Sequence, residues 1–355
     1  MHMADALISP LVGGAMWAAT AGLTAYGARK LKEKADDSMV PLMGVLGAFI
    51  FAVQMINFTI PGTGSSGHLG GGMILSILLG PYAAFLTMAS VLTVQALFFA
   101  DGGLLALGCN IFNLAFFPCF IAYPFIYRKI AGERPTRRRL AVGAVASSIL
   151  ALQMGALGVV LQTLFSGISE LPFSTFLFLM LSIHLAIGVV EGLVTAAVVT
   201  FVCKARPEIL EMAAVPRPPA RPAMNNVLAG LLVVTVVTGG ALSWFASANP
   251  DGLEWSMFHT SGKEALEAAD QGPYALAARL QEKTAFLPDY GFRPVEQETA
   301  TSGEGGAAAE AGKGKAEEWP DVSAGKSLSG LLGAAMTMLL AGLIGLGLRK
   351  SQQKR

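Results

Sequence analysis

The sequence predicts an all-α, polytopic membrane protein of about nine transmembrane helices, with its N-terminus outside and its C-terminus in the cytoplasm. Two observations carry this expectation. Hydrophobic residues make up 53% of the 355 residues and charged residues only 14%, where a soluble domain carries roughly 25%. The charges are also clustered, with short basic runs separating long uncharged stretches. This excludes a soluble globular domain. The net charge of +1 identifies no partner.

The apolar segments run near residues 8–27, 40–58, 70–100, 102–127, 139–166, 172–203, 224–247 and 327–348. A helix needs about 20 residues to cross a bilayer. Basic clusters at Arg29–Lys34, Arg128–Arg139, Lys204–Arg221 and the C-terminal RKSQQKR fall in the cytoplasm by the positive-inside rule. The chain then crosses an even number of times between the first two clusters. That holds if the 70–100 stretch breaks in two, and Gly80-Pro81 is the natural break. Residues 70–80 are too short to span at about 1.5 Å per residue, so they are expected to be tilted, buried in protein or extended by the preceding loop. Two crossings separate each later pair of clusters.

Three regions follow. Residues 1–203 form a membrane bundle of about seven helices. Residues 204–223, rich in proline and arginine, form a cytoplasmic linker. Residues 224–355 form a two-helix hairpin around an extracytoplasmic loop with 14 acidic and 7 basic side chains between Asn249 and Lys326. The acidic excess can concentrate cations; the plainer reading is a solvated spacer. Cys109, Cys119 and Cys203 lie in or beside apolar segments without CxxC spacing, as small core residues do.

The first two residues are chemically informative. A free amine on Met1, the His2 amide nitrogen and the His2 imidazole can close two fused chelate rings on one metal ion. A fourth nitrogen completes a square, which suits Ni(II) or Cu(II). His68 is the one strong ligand in the loop PGTGSSGHLGGG, and the topology puts it on the same outer face. Each histidine also has a plain reading, His2 as incidental to the start of the chain and His68 as structural. Gln54, Asn57, Gln95, Asp101, Asn110 and Asn113 lie within or at the ends of apolar helices, where polar groups are expensive unless paired. They, with Ser65 and Ser66 of the loop, are candidates to brace the histidines. Inter-helix hydrogen bonds without a role in ligation remain the alternative.

His184 and Glu191 share one face of one helix and read as a structural pair, with a proton relay or a second metal site as the alternatives; topology sets them apart from His2. His259 is at most an optional ligand. Gly14, Ala18 and Gly22 form a small-residue stripe, for internal packing or for docking another subunit. No GxxxxGK[ST] motif occurs, so any ATP hydrolysis falls to a partner.

Several blocks in order, MHMADALISP, FAVQMINFTIPGTGSSGHLGGG, VQALFFADGGLLALGCNIFN and HLAIGVVEGL, resemble the substrate-capture component of energy-coupling-factor nickel and cobalt transporters, the NikM/CbiM type. PDGLEWS at Pro250–Ser256 is similar to the small companion subunit, NikN/CbiN-like, here fused at the C-terminus. The resemblance implies a non-enzymatic permease subunit of the bacterial inner membrane that captures Ni(II) or Co(II) as cargo. It implies Met1, His2 and His68 as ligands and no permanent cofactor. It also implies a coupling subunit of the NikQ/CbiQ type and ATPase subunits of the NikO/CbiO type as partners. A passive channel, a secondary carrier or a membrane metal sensor are the alternatives. The opening departs from the usual MHIPDGF or MHIMEGF at Ala4-Asp5-Ala6, which leaves the ligands intact and blurs nickel against cobalt.

Overall fold

The computed structural model describes residues 2–33, 39–132, 136–169, 171–205, 221–263, 266–293 and 319–353. Met1 lies outside the described residues, as does most of the 204–223 linker. Helix α1 (Pro10–Lys32) starts at Ser9, whose side chain accepts from the Val12 amide, with proline in the first turn. Its Thr20 hydroxyl donates to the Gly108 carbonyl at 2.9 Å. A Cβ on Gly108 would lie 2.6 Å from the Trp17 nitrogen, so only glycine permits this crossing. Gly14, Ala18 and Gly22 are exposed on the opposite face of the helix, so the small-residue stripe is not used for internal packing.

Helix α2 (Met39–Gln54) is buried along almost its whole length. It leads into a short hairpin of β1 (Phe58–Ile60) and β2 (Ser65–Gly67), paired Phe58 to Gly67 and Ile60 to Ser65. Gly62 and Gly64 take positive φ in the turn. Helix α3 (Gly72–Leu79) and helix α4 (Pro81–Phe99) are separated at Gly80, which has φ 77° and ψ 166°. This is the break expected at Gly80-Pro81. Every residue of α3 is buried, which suits a piece too short to face lipid from one side to the other.

Helix α5 (Leu107–Ala131) has π-helical hydrogen bonding across Phe112–Tyr127, around Pro118 and Pro124; proline removes amide donors and widens the ladder. Helices α6 (Arg137–Ser166) and α7 (Phe173–Ala205) pack as a close pair. Cβ atoms on Gly188 and Gly192 would meet the Ile149 and Val145 backbone at 3.0 and 2.7 Å. Helix α8 (Arg221–Gly240) is followed by α9 (Gly252–Ser261), α10 (Gly272–Thr284) and α11 (Ala324–Gln353). Helices α4, α5, α6, α7 and α11 are long and apolar enough to cross a membrane, and α2 and the Asn226–Gly240 part of α8 are shorter apolar helices. The protein is thus a predominantly helical, multi-pass membrane protein.

The C-terminal region is not a detached hairpin. Helices α8 and α11 meet at Gly239 and Gly330, and both lie on α2. Nor is the start of its polar loop a solvated spacer. Leu253, Met257 and Leu287 are buried against the bundle. Trp255 Nε1 donates to the Thr63 carbonyl at 2.9 Å, and the Tyr274 hydroxyl to the Ile8 carbonyl at 2.9 Å. Gln281 Nε2 donates to the carbonyls of Ala96 and Gly102, both at 2.8 Å. The charge excess of this loop concealed an apolar and aromatic face.

Gly333 of α11 faces Phe51 of α2, which is fully buried. A Cβ there would lie 1.9 Å from the ring. Gly333→Ala is expected to cost about 1–3 kcal/mol through overpacking, read as a lower unfolding midpoint of the detergent-solubilised protein. An unchanged midpoint would show that the α2–α11 contact is not close-packed.

Candidate metal centre

The start of the chain is stitched to the loop after α4. Met3 is fully buried. Its amide donates to Asn110 Oδ1 at 2.8 Å, and its carbonyl accepts from Asn110 Nδ2 at 3.2 Å and from the Gly103 amide at 3.0 Å. Asp5 Oδ1 accepts from the Ala106 amide at 2.9 Å. With Met3 fixed, His2 has little freedom. Its Nδ1 lies 3.0 Å from Asp101 Oδ1, and Tyr290 donates its hydroxyl to Asp101 Oδ2. Burial alone would raise the Asp101 pKa; His2 beside it and the Tyr290 hydroxyl hold it well below the usual carboxylate range. Burial, followed by the charge of Asp101, lifts the Tyr290 phenol well above its ordinary value.

His68 follows β2 directly. Its imidazole stacks on that of His2, with centroids 5.1 Å apart and planes 6° apart. Nδ1 of His68 lies 3.1 Å from the Leu69 carbonyl. A carbonyl only accepts, so Nδ1 carries the proton and Nε2 a lone pair. Burial, assisted by His2, pushes the His68 pKa down to about 3. The ring is therefore neutral at physiological pH and its Nε2 is available as a donor atom. Among the described residues, Nε2 of both rings is buried without a hydrogen-bond partner. An unsatisfied buried polar atom costs about 1–3 kcal/mol, and each one calls for an explanation such as an ion.

The loop beyond His68 is tied at Gly70. Gln54 Nε2 donates to the Gly70 carbonyl at 2.8 Å, and Gln95 Nε2 donates to Gln54 Oε1 at 2.9 Å. The Gly70 amide donates to Glu191 Oε2 at 2.7 Å. Gln54 and Gln95 thus reach the loop that carries His68, and Asp101 and Asn110 reach the start of the chain. Asn57, Ser65 and Ser66 contact the C-terminal region instead. The Asn57 carbonyl accepts from the Ser247 amide at 2.7 Å. Ser66 Oγ donates to the Asn249 carbonyl at 2.7 Å, and Ser65 Oγ lies 3.1 Å from the Ser66 carbonyl and 3.4 Å from that of Pro250. Ser65 and Ser66 are fully buried, because residues 249–250 lie along the free edge of β2 and the Ser66 amide donates to the Pro250 carbonyl at 2.8 Å. Asn113 pairs with Gln162 at 2.8 Å, one helix further back.

His184, set apart from His2 by topology, lines a small cavity with His68 and Asp251. Its Nδ1 donates to the Met180 carbonyl at 2.8 Å. His259 lies on the exposed side of α9, bonded to the Trp255 carbonyl. Asp251 caps α9 in a capping box with Glu254, which DGLE at a helix start does signal. Tyr290 had no such signal, being one aromatic residue in an acidic loop. A cavity of about 400 Å³ adjoins His2, lined among others by Asp5, Asp101, Asp251, Glu254 and Asp289 and, among the described residues, by no lysine or arginine. A negative concave surface of this kind favours cations. Among the described residues no three His, Cys, Asp or Glu side chains gather as a ligand cluster.

Residues 2–209 match the family model described as the cobalt uptake substrate-specific transmembrane region, CbiM. The chain belongs to this CbiM family. Residues 225–350 match a PDGLE domain, so a NikM/CbiM-type region is fused to a NikN-like one. The family chain is 31% identical over 317 residues to the fused nickel transport protein NikMN of Rhodobacter capsulatus, covering 82% of this chain and 88% of the relative. It is 32% identical over 218 residues to the cobalt transport protein CbiM of Geobacter sulfurreducens, covering 59% and 61% of the two. A solved transition metal transporter superposes with a TM-score of 0.51 at 32% identity, covering 57% of this chain and 93% of that one.

Asn110→Ala leaves the buried Met3 amide without its acceptor. The expected loss is about 1–3 kcal/mol of stability, measured by denaturation of the purified protein. A change within about 0.5 kcal/mol would mean that the N-terminal strand is held without Asn110.

Proposed function

We propose that this chain captures Ni(II), with Co(II) as the main competitor, at the outer face of the bacterial inner membrane. Its ligands are the Met1 amine, the His2 amide and imidazole, and His68. The observation that carries the reading is the stacked pair of imidazoles at the start of the chain, with His68 Nε2 buried and without a partner among the described residues. The His2 amide supplies what the side chains lack. An amine, the next amide and its imidazole close a five-membered and then a six-membered ring, and only Nδ1 of His2 can close the second. Nδ1 now faces Asp101. Capture therefore exchanges the Asp101 contact of Nδ1 for the ion: the Nδ1 proton passes to Nε2, and the protons of the terminal ammonium group and the His2 amide leave to solvent. The acidic cavity beside His2 offers a cation its approach.

In this reading about nine crossings place the N-terminus outside and the C-terminus in the cytoplasm. Residues 1–203 form the capture bundle, 204–223 the cytoplasmic linker and 224–355 the fused NikN/CbiN-like hairpin. Delivery inward depends on a coupling subunit of the NikQ/CbiQ type and on ATPase subunits of the NikO/CbiO type, since no phosphate-binding motif is present. These subunits, not this chain, hydrolyse ATP.

The test is a nickel titration of full-length protein with its native first residue. One residue added before Met1 is expected to abolish tight binding, while a C-terminal tag leaves it intact. His2→Ala and His68→Ala are each expected to weaken binding by more than about 100-fold, because ligands count for more than the groups that orient them. His259→Ala should bind as the wild type. Undiminished binding by the N-terminally extended protein would remove the amine and the amide from the ligand set.

A further inference from the structure

We infer that Glu191 is a positioning residue for the captured ion: acting with Gln54 on the two backbone groups of Gly70, it sets where His68 stands and ties that ligand to α7. The inference rests on the ligand set proposed above. Gly70 lies two residues beyond His68, and side chains from different helices hold both its polar groups. Glu191 on α7 takes the amide at 2.7 Å, and Gln54 on α2 gives to the carbonyl at 2.8 Å with Gln95 of α4 behind it. Glu191 is 2% exposed. A carboxyl group deep in a membrane helix is expensive and marks function. Its described bond here goes to the loop that presents the ligand.

Helix α7 touches that loop on both sides of His68. A Cβ on Gly67 would lie 2.5 Å from Ile187 Cγ1, and one on Gly70 would lie 3.1 Å from Glu191 Oε2. The PDGLE stretch is equally close, since a Cβ on Gly252 would meet Ile183, His184 and Ile187 at 3.1–3.2 Å. His2 is held by other elements, through Asp101 and Asn110 at the α4–α5 connection. The two imidazoles thus belong to two supports. Helix α7 pairs chiefly with α6, whereas α2 pairs with α8 and α11. A shift of α7 against α2 and α4 pulls the Gly70 tie and carries His68 away from His2. Planar four-coordination tolerates little displacement of one ligand, so this motion loosens the ion without any change at Met1 or His2.

The experiment uses full-length protein with a native N-terminus in detergent, nickel titration by calorimetry, and the visible spectrum of bound Ni(II). Glu191→Ala is expected to weaken binding about 10–100-fold and to change the spectrum of the nickel that still binds, as loss of an orienting partner does. Glu191→Gln keeps a carbonyl oxygen to accept from the Gly70 amide and is expected within about threefold of wild type. Thr195→Val, one turn along α7 at the Ser148 contact, reads general α6–α7 packing and is expected to leave affinity and spectrum unchanged. His68→Ala serves as the reference. Wild-type binding by Glu191→Ala beside a crippled His68→Ala would overturn this inference alone; wild-type binding by His68→Ala would overturn the ligand set beneath it. Glu191→Gln as weak as Glu191→Ala, or Thr195→Val as weak as either, would also overturn it. If Glu191→Ala does not purify as a monodisperse protein, Gln54→Met removes the other tie on Gly70 and is expected to lower affinity; wild-type affinity there would likewise overturn the inference.

Discussion

Two stacked imidazoles with unpartnered buried nitrogens impose a cost that the rest of the structure is arranged to sustain. Each orphan nitrogen is worth about 1–3 kcal/mol against folding, and a soft support would let either ring turn away toward solvent. The support is firm on both sides. Met3 is stitched to Asn110 and Gly103, which leaves His2 on a short leash. The loop carrying His68 is fixed by a two-stranded hairpin before it and by the Gly70 tie after it. The glycines of that loop are there for approach: Gly71 has φ 77°, and a Cβ on it would meet Ile50 at 2.8 Å. In the proposed reading, an ion bound here would offset that cost by giving His68 Nε2 a partner.

The C-terminal region completes this arrangement. Tyr290 donates to the carboxylate that holds His2, and its ring stacks on Phe99, which in turn packs on Phe51 beneath α11. Asn249 and Pro250 pair with the β2 edge beside His68. Fusion of the two regions in one chain is therefore matched by contacts at both histidines. The acidic cavity is shared in the same way, with Asp5 and Asp101 from the first region and Asp251, Glu254 and Asp289 from the second. A cation approaching His2 meets carboxylates from both.

Much of this was legible in the sequence. Basic clusters and segment lengths located the helices and the break at Gly80-Pro81, because lipid permits few alternatives to a helix. The chelating potential of Met1 and His2 follows from covalent chemistry and needs no fold. Polar residues in apolar helices drew attention to Gln54, Gln95, Asp101 and Asn110, which bond to the His68 loop or to the start of the chain. The contacts of Asn57, Ser65 and Ser66 with residues 247–250 were not legible, since a polar loop residue carries no mark of which side it faces. Tyr290 and the contact of Glu191 with Gly70 were illegible because they depend on packing between distant segments. So was the folded half of the acidic loop: charge counts average over faces, and a single i, i+4 pair, Leu253 and Met257, with Leu287 far along the chain is too little to announce a buried surface.

X-ray absorption on the nickel-loaded, full-length protein tests the central claim most directly. Three coplanar nitrogens from two adjacent residues and one from His68 predict about four nitrogen neighbours in a low-spin, square-planar site without sulfur. The three cysteines lie elsewhere: Cys109 and Cys119 are buried in α5, and Cys203 is in α7. A six-coordinate, oxygen-rich shell would contradict the account and move the ion from the two histidines to the carboxylates of the adjoining cavity.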